Sequence, residues 1–169
     1  AEQPLEEVDA RFEGGKAGLE PGFKPLPLPE ELRGVLRRAG VPEEGGPRAA
    51  AGGPPLVGLH PGSVWPTKRW PVERYAELAR RLTLEAGARA LLIGGPGDAP
   101  LCGEVARAAG VPVADLAGLT DLRGLIALMG RLALFVTNDS GPMHVATAAG
   151  VPTLDHFGPT TRELGFFPY

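Results

Sequence analysis

Asn138-Asp139-Ser140-Gly141-Pro142-Met143-His144-Val145-Ala146 follows an apolar run, Leu132-Ala133-Leu134-Phe135-Val136-Thr137, and leads into small residues ending near Ala149. The apolar run reads as a buried strand, and the segment from about Pro142 to Ala149 as a helix. Pro142 suits the first helical turn, because its fixed φ matches the helix and its missing N–H would be unpaired there anyway. Ser140 or Gly141 then stands at the cap. The N–H groups beyond it, with the positive end of the helix dipole, make a seat for an anion. A strand, a tight turn and a helix opening onto a phosphate is how α/β nucleotide-binding proteins hold their ligands.

Working outward, the same alternation repeats from Leu56 onward. Leu56-Val57-Gly58-Leu59-His60 is a short apolar strand, and a helix is expected from about Val72 to Glu85. A strand from Arg89 to Ile93 precedes a helix from about Ala99 to Ala109. Val113 to Leu116 is a shorter strand. Asp121 is placed to cap a helix ending near Met129, with Leu122, Leu125, Ile126 and Met129 on the buried side. Val151 to Phe157 is the last strand. Short strands alternating with helices imply an α/β fold with a doubly wound parallel sheet of five strands, covered on both faces. Ligands of such sheets lie beyond the carboxyl ends of the strands. That rule directs attention to five loops: His60 to Trp70, Gly94 to Asp98, Ala117 to Thr120, Thr137 to Pro142 and Gly158 to Thr161.

The first third has a different texture. Residues 1–53 are rich in Gly, Pro and Glu and read as an arm with one docked helix, about Pro29 to Ala39, whose stripe is Leu32, Val35, Leu36 and Ala39. Arg48 to Pro55 reads as a linker, and residues 54–169 as the nucleotide-binding domain. The 169 residues thus make one domain plus an arm. A net charge of -3 argues against a general nucleic-acid binder, which needs a basic face. The single cysteine excludes an intrachain disulfide and a cysteine metal cluster. No apolar run is long enough to span a membrane, and Ala1 to Val8 does not resemble a signal peptide, so a cytoplasmic location is expected.

The loops supply candidate chemistry. In His60-Pro61-Gly62-Ser63-Val64-Trp65-Pro66-Thr67-Lys68-Arg69-Trp70-Pro71, Gly62 permits close backbone approach, Ser63 offers a hydroxyl and Lys68 a mobile ammonium. Ser63 and Lys68 can bind phosphate oxygens and neutralise charge on a departing diphosphate. The plainer alternative makes Lys68 and Arg69 solvated charges and the tryptophans packing for the loop. In Gly94-Gly95-Pro96-Gly97-Asp98, the Asp98 carboxylate can accept from both ribose hydroxyls of a nucleotide, or it can cap the following helix. The glycines lack the third member of a dinucleotide fingerprint, and no GxxxxGK[ST] loop is present.

Asp139 would repel a diphosphate, so sugar hydroxyls or backbone N–H groups suit it better. His144, in the first helical turn, can donate to a ligand or pack against its own surroundings. His60 closes a buried strand and reads as structural, and Cys102 as a small buried filler. Asp155 and His156 interrupt the last strand where apolar residues are expected, marking an edge, a partner contact or a functional feature. The three histidines do not show metal-ligand spacing.

Taken in order, His60-Pro61-Gly62-Ser63 with Lys68-Arg69-Trp70-Pro71, Gly94-Gly95-Pro96-Gly97-Asp98, Asn138 to His144, and Phe157-Gly158-Pro159-Thr160 carry a family likeness. From about Leu56 to its end the chain resembles the donor-binding, carboxyl-terminal half of the bacterial ADP-heptose:lipopolysaccharide heptosyltransferases, glycosyltransferase family 9. The resemblance implies the Rossmann-like lobe of a two-lobed GT-B enzyme, inverting and metal-independent, with no cofactor. ADP-heptose or a related ADP-sugar is the implied ligand, held by Ser63 and Lys68 on the diphosphate. The backbone at Ser140, Gly141 and Met143 would complete that seat, with His144 beside it, Asp139 on heptose hydroxyls and Asp98 on the ribose. Asp155-His156 departs from the apolar residues usual at that point.

The acceptor-binding amino-terminal lobe, which holds the general base, is not in the chain, and the end at Phe166-Phe167-Pro168-Tyr169 is abrupt. The chain therefore reads as a fragment that binds donor and transfers sugar poorly. Its implied partner is the acceptor lobe of the same enzyme, with any membrane contact made through the acceptor. A non-catalytic nucleotide-binding or partner-binding module is the alternative. A nicotinamide-dependent dehydrogenase is disfavoured by the glycine pattern.

Overall fold

The computed structural model describes residues 26–38, 41 and 53–157. The expectations for the rest of the arm and linker, for Gly158 to Thr161 and for the segment ending at Tyr169 lie outside the described residues. Five strands, β1 (Leu56–His60), β2 (Arg89–Leu92), β3 (Ala114–Asp115), β4 (Leu134–Asn138) and β5 (Thr153–His156), form one sheet in the order β3-β2-β1-β4-β5. Every pairing is parallel. The chain runs outward from β1 to β3, returns across the sheet and continues outward through β4 to β5. The sheet is therefore doubly wound, as expected, with its switch point between β1 and β4.

Parallel strands need crossovers, and the crossovers coat both faces. Helices α2 (Val72–Leu84) and α3 (Ala99–Ala109) cover one face. Their Tyr75, Ala76, Ala79, Cys102, Val105 and Ala109 pack with Leu59, Leu92 and Val136. Helices α1 (Glu30–Arg38), α4 (Leu122–Met129) and α5 (Gly141–Ala148) serve the other face. There Leu32 and Leu36, from the apolar stripe of the arm, join Leu91, Ile93, Leu128, Met129, Phe135 and Ala146. A mid-strand glycine marks the tightest packing in this layer. A Cβ at Gly58 would come within 2.7 Å of Leu132, 2.8 Å of Phe135 and 2.9 Å of Ile93.

Asp121 caps α4 as expected, its Oδ1 accepting the Gly124 N–H at 2.7 Å. The expected inward face of α4 holds at Met129 and, partly buried, at Leu125, but not at Leu122. Gly124, Ala127, Leu128 and Met129 are buried, whereas Leu122 is 63% exposed. Leu122 lies in the first turn of α4 and lines the cleft described next.

Candidate functional site

The buried polar side chains of the described residues gather at one place. His60, Ser63, Thr137, Asn138 and Asp139 all lie at or just beyond the carboxyl ends of β1 and β4. Burying such groups is costly unless each is hydrogen-bonded, so their concentration at the switch point signals a built site. An open cleft of about 850 Å³ lies over them, lined by Ser63, Lys68, Asp98, Asp139, Ser140, Gly141 and His144 among others. A cleft of that size accommodates a nucleotide-sized ligand. Seven of the eight candidate residues, from three separate segments, thus share one cavity.

The Lys68 ammonium and the Asp139 carboxylate meet directly, Nζ to Oδ2 at 2.6 Å, with side chains 13% and 7% exposed. An ammonium has three donors, so holding Asp139 is compatible with donating to a ligand oxygen as well. The expectation for Asp139 offered sugar hydroxyls or backbone N–H groups; the pairing with Lys68 was on neither list. Two side chains separated by 71 residues cannot be matched by local spacing. Once paired, Asp139 screens the lysine and fixes its position. Ser63 Oγ donates to the Asp139 carbonyl at 3.2 Å, tying the loop after β1 to the loop after β4. Arg69 is no free surface charge: its guanidinium donates twice to the Ser63 carbonyl, at 2.9 and 2.7 Å.

Asn138 holds this assembly together, and no role was assigned to it from sequence. Its Oδ1 accepts the Trp70 N–H at 3.0 Å and lies 3.2 Å from the Tyr75 hydroxyl. Its Nδ2 donates to the carbonyls of Pro61 and Gly62, at 2.9 and 3.2 Å. Burial pushes the Tyr75 pKa upward, so that hydroxyl keeps its proton. One amide therefore staples the whole lysine loop to the end of β4.

Asp98 closes a 3-10 turn, Pro96–Asp98, and its side chain makes no hydrogen bond that caps α3. It turns back instead, accepting the Gly95 N–H at 2.9 Å and facing His60 Nε2 at 3.6 Å. The His60 contact, reinforced by the Gly95 bond, holds the Asp98 carboxyl below the usual carboxylate range. Gly62 makes room for this pairing. A Cβ there would collide with the Asp98 carboxylate and come within 2.9 Å of His60 Nε2. Sequence reasoning reserved the space at Gly62 for a ligand; the structure fills it with Asp98. His60, read as structural, is buried yet borders the cleft.

At the start of α5, Ser140 occupies the cap position but makes no capping bond. Its Oγ lies 3.1 Å from His60 Nδ1 and 3.0 Å from Thr137 Oγ1. The Met143 backbone, expected to complete the seat, is engaged within the turn. The Met143 N–H turns back to the Ser140 carbonyl at 3.2 Å, and its side chain is fully buried away from the cleft. Pro142 has no N–H, and Gly141, which opens α5, lines the cleft wall. Nothing lies within 4 Å of a Cβ built at Gly141. His144 is exposed on the same wall.

The cleft also has an apolar side that the sequence reading missed. Ile93, Leu122 and Leu125 line it, and Val64 and Trp65 stand at its rim 86% and 64% exposed. Their apolar character read as core or loop packing. Cys102 is the buried filler expected, its thiol pushed up to about 12 chiefly by burial. Among the described residues, no group of three His, Cys, Asp or Glu side chains gathers that could hold a metal ion. No helix among them is long and apolar enough to cross a membrane.

β5 forms an edge of the described sheet. Its His156 ring packs on Trp70, centroids 4.3 Å apart, and burial lowers the His156 pKa. Burial, with the nearby Asp139 charge, pushes the Asp155 carboxyl up to about 6.

Comparison with known proteins bears on the same region. The profile of glycosyltransferase family 9 (heptosyltransferase) matches residues 40–167. The chain is 37% identical over 120 residues to lipooligosaccharide heptosyltransferase 2 of Haemophilus influenzae, covering 68% of this chain and 34% of that protein. It is 37% identical over 115 residues to lipopolysaccharide heptosyltransferase 2 of Escherichia coli, covering 65% and 33%. The matched region is thus about a third of the length of these curated relatives. Among solved structures, E. coli ADP-heptose lps heptosyltransferase II superposes with a TM-score of 0.62 at 31% identity, over 80% of this chain and 40% of that one. E. coli heptosyltransferase WaaC with ADP gives a TM-score of 0.56 at 26% identity, over 64% and 35%.

Proposed function

The chain belongs to glycosyltransferase family 9, and from that premise we propose that it is the donor-binding part of a heptosyltransferase acting in lipopolysaccharide core synthesis. Residues 54–169 form the donor domain, with the preceding arm connecting to an acceptor lobe of the same enzyme. The ligand is ADP-heptose or a close ADP-sugar. One observation carries this reading: the Lys68 ammonium shares a cleft with the open amino end of α5, and Asp139 joins them through its 2.6 Å bond to Lys68. A cation facing a helix amino terminus is an arrangement for a diphosphate.

The roles follow from position. Lys68, Ser63, the Ser140 hydroxyl and the Gly141 amide hold the diphosphate. Asp98 accepts from the ribose hydroxyls, and the base lies along Ile93, Leu122 and Leu125. Asp139, at the foot of Lys68, accepts from hydroxyls of the heptose while keeping the ammonium aimed; His144 closes the wall. In the complete enzyme, the acceptor hydroxyl attacks the anomeric carbon in line and inverts it. Lys68 and the α5 dipole meanwhile stabilise the negative charge that accumulates on the departing ADP. The base that takes the acceptor proton belongs to the other lobe.

Titration calorimetry of the chain with ADP and ADP-heptose tests the proposal, and binding of neither at millimolar concentration overturns it. Lys68→Ala removes one charge-assisted hydrogen bond to the diphosphate, a loss of about 1.5–3 kcal/mol or roughly 10- to 100-fold in affinity. Binding of adenosine changes little. Equal losses for ADP and adenosine would return Lys68 to the role of a loop brace.

A further inference from the structure

The loop after β1 carries both tryptophans of the chain, and the fold treats them differently. Trp70 is packed, its ring centroid 5.2 Å from that of Tyr75 and 4.3 Å from that of His156. Trp65 makes no ring contact among the described residues and stands 64% exposed on the cleft wall.

This exposure does not come from a loose backbone. Before Trp65, Asn138 Nδ2 holds the carbonyls of Pro61 and Gly62, and Ser63 Oγ donates to the Asp139 carbonyl. After it, the Trp70 N–H donates to Asn138 Oδ1. The Arg69 guanidinium closes the loop on itself through the Ser63 carbonyl. Pro66 restricts the residue before it to extended backbone, and Trp65 sits there at φ -99° and ψ 118°. A large apolar side chain is therefore held at the cleft on a fastened backbone. Such a platform loses little conformational freedom when a ligand covers it.

Which part of a ligand the ring meets follows from its neighbours. The Lys68 N–H returns to the Trp65 carbonyl at 3.0 Å, so the two residues are the ends of one turn, with Cα atoms within about 7 Å. Both residues line the cleft, and the Lys68 ammonium is bonded to Asp139, the carboxylate assigned to sugar hydroxyls. The apolar wall assigned to the base comes instead from the end of β2 and from α4. A pyranose presents hydroxyls around its edge and C–H bonds on its faces. A carboxylate suits the edge, and the electron-rich face of an aromatic ring suits the C–H face. Asp139 and Trp65 supply one of each.

We propose that Trp65 is a specificity-determining residue for the donor sugar: its indole packs against a C–H face of the sugar carried by the nucleotide, while Asp139 binds that sugar's hydroxyls. This rests on the donor-site reading above. The contact favours the sugar nucleotide over the free nucleotide that remains after transfer.

Titration calorimetry with ADP and ADP-heptose reads this contact. Trp65→Ala is expected to weaken ADP-heptose binding by roughly 5- to 10-fold, matching burial of one ring face, while ADP affinity stays within about twofold. Trp65→Phe keeps an aromatic face and binds ADP-heptose within about threefold of the wild type. The side chain is mostly exposed, so the thermal midpoint of both variants stays near that of the wild type.

Fluorescence of the intact chain gives a second readout that needs no variant to fold. Trp65 is the exposed one of two emitters. ADP-heptose is expected to shield it from acrylamide quenching, and ADP to leave it nearly as accessible as in the free chain. Equal losses of ADP and ADP-heptose in Trp65→Ala, no loss of either, or equal shielding by the two ligands overturns the inference and leaves the donor site standing. Binding of neither ligand by the wild type overturns both.

Discussion

The carboxyl ends of β4 and β5 lie side by side, Thr137 opposite Asp155 and Asn138 opposite His156, yet they treat buried polarity in opposite ways. On β4, Thr137 and Asn138 are fully buried and their side chains make hydrogen bonds on every side. On β5, buried polar atoms of both residues, Asp155 Oδ1 and His156 Nδ1, find no hydrogen-bond partner among the described residues. A satisfied network makes the chain rigid where a ligand must be met, whereas an unsatisfied pair subtracts from stability. The contrast separates polarity built for a site from polarity that the fold merely tolerates.

Asn138→Leu is the hardest blow to the satisfied side. The substitution keeps the branched shape but strands the Trp70 N–H and the carbonyls of Pro61 and Gly62, each in a setting where an unmet group costs about 1–3 kcal/mol. We expect a loss of about 3–5 kcal/mol in chemical denaturation. A loss under 1 kcal/mol would mean that the lysine loop does not depend on this amide.

On the other strand the sign reverses. A carboxyl raised to about 6 in the folded chain loses its proton earlier in the unfolded one, near the ordinary 3.8. Between those values the folded state binds more protons, so stability falls as the pH rises through them and the full penalty stands above 6. Asp155→Asn removes that penalty together with the repulsion from Asp139. It should stabilise the chain at pH 7.5 by on the order of 1–2 kcal/mol, with solvent screening at a half-buried group taken into account, and by almost nothing at pH 4. A gain of the same size at both pH values would assign the effect to packing.

The same contrast explains what could be read in advance. Strands and helices were legible because a buried parallel sheet writes apolar runs and the helices between them write a 3.6-residue period, so boundaries moved by only one or two residues. The location of the cleft was legible too, since topology alone puts it beyond the strand ends. What escaped were partnerships across the chain: Lys68 with Asp139, Asn138 with Pro61 and Gly62, Asp98 with His60. These depend on which loops the sheet order places together, and β1 meets β4 only after more than 70 intervening residues. Leu122 was misread for a related reason. Periodicity says that a leucine belongs to an apolar stripe, but not whether that end of the stripe overhangs a core or a cleft.

Gly141→Ala has the smallest expected effect on stability and asks the most specific question. Glycines beside the site fall into two kinds. At Gly62 a Cβ meets Asp98 and His60, so the protein itself requires glycine; at Gly141 a Cβ meets nothing within 4 Å. Alanine is also the better residue in a helical first turn, so folding stability should stay within about 0.5 kcal/mol of the wild type. If the space over Gly141 belongs to a diphosphate, the added methyl stands in the ligand's place, and ADP-heptose affinity should drop by about tenfold or more while the thermal midpoint barely moves. Unchanged affinity in a stably folded Gly141→Ala chain would mean that the anion does not approach the α5 amide. The satisfied polarity of β4 would then serve the lysine loop alone.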